Sequence, residues 1–327
     1  MGVKGSWVRI PPSRRSEEPV DQHVSAGQRA FRIAVWIFGD HSGGATAILI
    51  DRLASASTTI RVGSGGVMLP NHPPLVVAEQ FGTLGALHSG RIDLGIGRAP
   101  GTDPITARAL RRTADFGAND FPHQLDELMH YMNRDSSGHI AAVPAPENWP
   151  PLWLLGTSPN TAALAGAMGV PFAFAHHLRP DATAASLQAY RESFQPSAHL
   201  AEPYAIVAAV VSAADTDERA EWLLGPMKLA FALGAADPKP FHSPEDAAKH
   251  SLSAEQELRV QAQFGPQIVG SPETVRDQVG DLVSRTGADE LMALTVIHDH
   301  EERVRSYELL AEAVRQSSGD RERVDAG

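Results

Sequence analysis

Arg61-Val62-Gly63-Ser64-Gly65-Gly66-Val67-Met68-Leu69-Pro70-Asn71-His72-Pro73-Pro74, followed by Gly90-Arg91-Ile92-Asp93-Leu94-Gly95-Ile96-Gly97-Arg98, is the stretch that decides the fold. Residues 59–69 are β-branched and apolar but broken by Gly63, Gly65 and Gly66. A buried parallel strand looks like this where its end must let something flat approach the backbone. Residues 72–86 carry apolar side chains at helical spacing, and Gly90 supplies the stop signal before a second strand opens. The product is a βαβ unit with its glycines at the strand's carboxyl end, where parallel α/β folds bind ligands.

Working outward, the same alternation continues from residue 44. Strands are expected at 60–69, 91–96, 152–155, 172–175, 204–212 and 290–297. Helices are expected at 45–57, 74–87, 106–112, 121–133, 160–168, 182–194, 272–285 and 301–316. Residues 217–265 read as helical with a break at 234–244, and the proline-bearing stretch 135–150 reads as an inserted loop. This alternation implies a parallel sheet, and the strand count suits a closed TIM (β/α)8-type barrel better than an open sheet. Three segments are expected: an atypical 1–43, a barrel domain over 44–316 and a polar tail over 317–327. Residues 1–27 offer no apolar strand, because 7–12 is short and proline-stopped. The barrel's first strand is therefore expected to be incomplete or irregular, leaving the sheet open or patched beside 291–297.

Bulk composition removes several function classes. A chain of 327 residues with 43% hydrophobic and 20% charged residues is an ordinary globular composition. The net charge of −11 argues against a nucleic-acid backbone or an anionic membrane as partner, so any phosphate binding must be local. With no cysteine there can be no disulfide, thiolate nucleophile or iron–sulfur cluster. No apolar run has the length of a membrane span, and the first thirty residues lack the apolar centre of a signal peptide, so a cytoplasmic protein is expected.

Taken with Pro151-Leu152-Trp153-Leu154-Leu155-Gly156-Thr157-Ser158, Gly169-Val170-Pro171-Phe172-Ala173-Phe174-Ala175-His176-His177 and Val269-Gly270-Ser271-Pro272-Glu273-Thr274-Val275, the opening stretch closely resembles the bacterial luciferase-like superfamily of flavin-dependent monooxygenases. The blocks stand in the family's order and spacing, and the resemblance covers roughly residues 44–316. It implies a barrel that takes reduced FMN as co-substrate from a separate flavin reductase, reacts it with O2 and oxygenates a small organic molecule. A homodimer is implied by the family alone. Alternatives are a deazaflavin-dependent hydride transferase on the same fold and a non-catalytic flavin-binding barrel.

Residue by residue, Ser64-Gly65 matches the dipeptide that in the family adopts a cis peptide under the flavin; read alone, it is a strand end softened by glycine. Gly156-Thr157-Ser158-Pro159-Asn160-Thr161 lies at a strand end and opens a helix, which makes an anion site or an ordinary N-cap. The resemblance places the flavin phosphate there, at Thr157, Ser158 and Thr161, with Leu155 packing by the ring and Gly156 a further cofactor-binding residue. Arg98 ends its strand at the same kind of position; a lone arginine is usually solvated, while the family's matching arginine meets the phosphate. His41 and His176 are the catalytic candidates, His41 as the nearest equivalent of the family's assisting histidine and His176 as a residue at a strand's carboxyl end. No histidine has metal-ligand spacing with carboxylates, and no Gly-x-Gly-x-x-Gly follows a strand, so neither a metal nor a nicotinamide crevice is expected.

Overall fold

The computed structural model describes residues 6–10, 34–37, 45–98, 120–132, 140–144, 149–234 and 241–324; the side chains of 6–10, 34–37 and 316–324 are outside the description. Contacts divide the chain into two compact units, a smaller one of Ile33–Gly156 and a larger one of Met1–Arg32 with Thr157–Gly327.

In the smaller unit, strands β2 (Ala34–Ile37), β3 (Arg61–Ser64), β5 (Ile92–Gly97) and β6 (Leu152–Gly156) lie side by side in that order, all parallel, with the short β4 (Val67–Met68) also on β5. Helices α1 (Thr46–Ser55), α2 (Pro74–Leu87) and α3 (Phe121–Met132) supply the apolar cover. Pro74 at the first turn presets the helical φ of α2, and Val77, Phe81 and Leu84 form its buried stripe at helical spacing. They share a core with Val62, Ile92, Leu94, Ile96 and Leu154.

The larger unit holds β7 (Phe172–Phe174), β8 (Ala205–Ala213), β9 (Ile268–Gly270) and β10 (Glu290–Thr295). Between and after them run helices α4 (Pro159–Ala167), α5 (Thr183–Ser193), α6 (Asp217–Leu233), α7 (Pro244–Ala247), α8 (Ala254–Phe264), α9 (Pro272–Thr286) and α10 (His300–Val324). β8 is buried along its whole length, which is why Ala-Ile-Val-Ala-Ala-Val-Val-Ser-Ala shows no alternation: both faces are covered. It pairs in parallel with β10, with β7 at its start and with β9 at its end. Serine or threonine caps open α4, α6, α7, α8 and α9, each accepting a backbone N–H of the first turn.

Four expectations change. Residues 6–10 do form a strand, β1 (Ser6–Ile10), but it runs antiparallel on the outer edge of β10 and so is not the parallel first strand of a regular barrel. Trp7, Val8 and Ile10 give it β propensity, and the ladder groups of β10 reward even a short partner. The strand read at 60–69 is two pieces, β3 and β4, separated at Gly65 and Gly66 and followed by a 3-10 turn. β9, three residues long, is too short to show in a sequence pattern. The last helix continues past Gln316 to Val324. The expected helix at 106–112 lies outside the described residues.

Candidate functional site

In the smaller unit the glycines of the opening stretch create a defect in the sheet. Gly63 pairs with Asp93 and Val67 with Ile96, so three residues of the β3–β4 strand (64, 65, 66) stand opposite two of β5 (94, 95). That is a β-bulge, a device found beside active sites because it re-aims the chain. Ser64 sits in it, fully buried, and its hydroxyl donates to the carbonyl of Gly95 at 2.9 Å while accepting the Gly95 N–H, also at 2.9 Å. The non-prolyl cis peptide is Gly65–Gly66, one bond later than the expected Ser64–Gly65. Ser64 is held by β3 and by its own bonds to Gly95, so the chain bends after it, at two residues without a Cβ.

The backbones are tight here. A Cβ on Gly95 would stand 2.1 Å from the Ser64 carbonyl oxygen and 2.9 Å from a Leu155 methyl, and one on Gly66 would stand 2.8 Å from the Gly95 oxygen and 3.2 Å from the other Leu155 methyl. Bare backbone of β3–β4 and β5 and the isobutyl group of Leu155 thus form one small platform. Gly65 and Gly66 are buried and Leu155 and Gly156 half-buried, so a ring laid on the platform must displace the groups that now cover it. Arg98, just beyond β5, is exposed. At the other end of the same strands Arg61 bridges to Asp93, Nε donating to Oδ2 at 3.2 Å and Nη2 to Oδ1. Burial opposes the guanidinium's charge, but the Asp93 carboxylate and its hydrogen bonds outweigh this and raise the Arg61 pKa.

In the larger unit, Ser158 is the N-cap of α4: its Oγ accepts the Thr161 N–H at 3.4 Å and lies 3.3 Å from the Thr161 hydroxyl. Thr161 is buried, while Thr157 and Ser158 are half-buried. The cap and the anion-site readings are compatible, since a capping hydroxyl accepting an N–H keeps its own proton for an oxyanion.

His176 is buried at the end of β7, with both ring nitrogens engaged. Nε2 faces the Pro266 carbonyl at 3.0 Å, which can only accept, so Nε2 carries the proton; Nδ1 of the neutral ring accepts from the Thr183 hydroxyl at 2.7 Å. Burial pushes its pKa below the usual value, against the Pro266 bond, with the Arg285 charge adding to the fall. His177 points its Nδ1 at the Ala208 carbonyl, 3.1 Å away, and burial brings its pKa down to about 4. Around this pair, Gln263 donates to the His177 carbonyl at 2.6 Å, and Gln267 donates to the His176 carbonyl at 3.4 Å and accepts the Val210 N–H at 2.9 Å. For proton transfer His176 would have to release Thr183 or Pro266.

Of the expected site residues, Ser64 of β3, with Gly65 next to it, and Leu155 of β6 meet across Gly95 of the intervening β5, and Ser158 and Thr161 share one helix turn. His41 lies outside the described residues. Gly95 and Gln267 were not singled out by sequence. Gly95 had a signal, a glycine in mid-strand; Gln267 had none, since its partners His176 and Val210 stand far from it in sequence. No group of three His, Asp or Glu residues able to hold a metal occurs among the described residues.

A family model described as luciferase-like monooxygenase matches residues 25–290. A Bacillus subtilis protein, YvbT, is 46% identical over 271 residues, 82% of this chain and 80% of its own. An Escherichia coli luciferase-like monooxygenase is 43% identical over 267 residues, 81% of this chain and 80% of its own. The N-acetyl-S-alkylcysteine monooxygenase of Bacillus subtilis is 30% identical, covering 85% of this chain and 86% of its own. Among solved structures, apo-MsnO8 superposes with a TM-score of 0.76 at 35% identity, over 86% of this chain and 87% of its own. Two more distant neighbours share the α/β barrel fold alone. The oxygenating constituent of 3,6-diketocamphane monooxygenase from Pseudomonas putida, in complex with FMN, has a TM-score of 0.63 at 20% identity over 86% of this chain and 87% of its own. The coenzyme F420 dependent tetrahydromethanopterin reductase of Methanopyrus kandleri has 0.62 at 14%, over 88% and 91%.

Proposed function

The chain belongs to the luciferase-like monooxygenase family, an oxidoreductase family, and from that premise we propose that it uses reduced FMN and O2 to place one oxygen atom on a small organic substrate. The observation that carries this reading is the bulge at residues 64–66 beside Gly95 and Leu155, where Gly66 and Gly95 bring bare backbone together so closely that neither has room for a Cβ. Ser64, Gly65, Leu155 and Gly156 are the ring-side residues of the proposal. Thr157, Ser158, Thr161 and Arg98 are its phosphate-side residues, chosen because hydroxyls, helix N–H groups and a guanidinium suit a dianion. Reduced flavin supplies two electrons and the substrate two more, so that one oxygen enters the substrate and the other leaves as water.

The chain's own contribution is binding, orientation and exclusion of water. His41 and His176 are the proton-handling candidates, with His176 neutral at pH 7 in its present bonds. We further propose a separate reductase as the source of reduced FMN, a homodimeric assembly and a cytoplasmic location; no helix among the described residues is long and apolar enough to cross a membrane.

The test is titration with oxidised and reduced FMN, then oxygen uptake with aldehydes, ketones and thioethers. The last two classes are suggested by the diketocamphane and S-alkylcysteine monooxygenases. Saturable FMN binding with substrate-dependent oxygen uptake is the expected result. Anaerobic turnover with a reduced deazaflavin, and none with FMN and oxygen, would replace the proposal with hydride transfer.

A further inference from the structure

We infer that Ser64 is a positioning residue: its hydroxyl holds the Gly65–Gly66 platform in place and acts on the ring through that backbone, without donating a hydrogen bond to it. The inference rests on the flavin reading above and deepens it. A serine hydroxyl has one proton to give, and the Ser64 proton goes to the Gly95 carbonyl at 2.9 Å, while the same oxygen takes the Gly95 N–H at 2.9 Å. Both partners belong to one residue of the neighbouring strand. The N–H is the one that an unbroken ladder would have paired with the backbone of the β3–β4 strand.

The bulge takes the backbone acceptor away from that N–H, because Gly63 to Val67 carries one residue more than Asp93 to Ile96. Without the hydroxyl, the buried Gly95 N–H would lose its acceptor in the middle of the sheet, which proteins avoid. Ser64 supplies that acceptor from a fully buried position. It thereby fixes how far the two residues after it stand from β5, with Gly66 close enough to Gly95 that no Cβ fits between them. A side chain committed in this way to both groups of Gly95 has no proton left for a flavin heteroatom. Its influence on a bound ring passes through the backbone of Gly65 and Gly66.

The experiment compares Ser64→Ala, Ser64→Thr and the unchanged protein for binding of oxidised FMN, the visible absorption and circular dichroism of the bound flavin, and thermal midpoint. Ser64→Ala should weaken FMN about tenfold or more, because the platform loses its anchor, and should shift the bound-flavin spectrum. Ser64→Thr, which keeps the hydroxyl, should restore both. Unchanged FMN affinity and spectrum in a folded Ser64→Ala protein would overturn the inference. So would a Ser64→Thr protein that folds but behaves like Ser64→Ala. If Ser64→Ala does not fold, Ser64→Cys keeps the volume with a weaker hydrogen-bonding group, and an unaltered flavin spectrum there overturns the inference equally. Failure of the unchanged protein to bind FMN is a different result, and it counts against the flavin reading itself.

Discussion

At the scale of single residues, two buried charge arrangements set the chain's response to mutation and pH. Arg61 and Asp93 are an ion pair with side-chain exposures of 14% and 1%, and removing the guanidinium takes the opposite charge away from a buried carboxylate. Arg61→Leu should therefore cost about 3 kcal/mol, read as a lower denaturant midpoint with an unchanged slope. His177 works through protonation. Its folded pKa of about 4 lies below the ordinary 6.5, so the unfolded chain takes up that proton first as pH falls. The stability it contributes is complete above 6.5, is lost between 6.5 and about 4, and changes no further below that. Over that window the unchanged protein should lose roughly 3 kcal/mol more than His177→Gln in urea titrations, and parallel pH profiles would reject the assignment. Neither arrangement was legible in the sequence. Arg61 and Asp93 were visible as charges in apolar strands, but the register that joins them is a tertiary fact.

At the scale of elements, the strongest test is β5 and its two glycines. Gly95→Ala should cost about 3 kcal/mol or more, since the new methyl carbon would lie 2.1 Å from a backbone oxygen that cannot swing away. Gly97→Ala, where the nearest atom is 4.0 Å off, should stay within about 0.5 kcal/mol. Thermal unfolding of the pair reads the difference directly, and equal losses would mean that strand propensity, not close approach, selects glycine here. The long helices were readable because their periodicity repeats over several turns, as in α2, whose bounds agree with expectation. The break between β3 and β4 was not, because a bulge is defined by the partner strand and a single strand's sequence carries no record of it. The antiparallel course of β1 is of the same kind: Trp7-Val8-Arg9-Ile10 states a preference for extended backbone and nothing about direction.

At the scale of the whole molecule, the flavin proposal makes a thermodynamic demand. A ligand that binds only the folded chain stabilises it by mass action, so oxidised FMN at about a hundred times its Kd should add roughly 2.7 kcal/mol. That appears as a rise of a few degrees in the thermal midpoint, and no rise at saturating FMN would remove the cofactor from this chain. The sequence by itself determined the α/β class and the order of most elements, because hydrophobic period, glycine placement and helix caps are local properties written in consecutive residues, while the family followed from the resemblance of whole motif blocks. It also marked Ser64, Gly65, Leu155, Ser158 and Thr161, each of which lies at a strand end, a bulge or a helix start. Only the tertiary structure decided what those groups are bonded to. It bonded the Ser64 hydroxyl to both the N–H and the C=O of Gly95. It also engaged both nitrogens of His176 with Thr183 and Pro266, and put a side-chain amide from Gln267 onto β8. Those bonds join residues far apart in the chain, and a hydrogen bond depends on distance in space, on which sequence separation has no bearing.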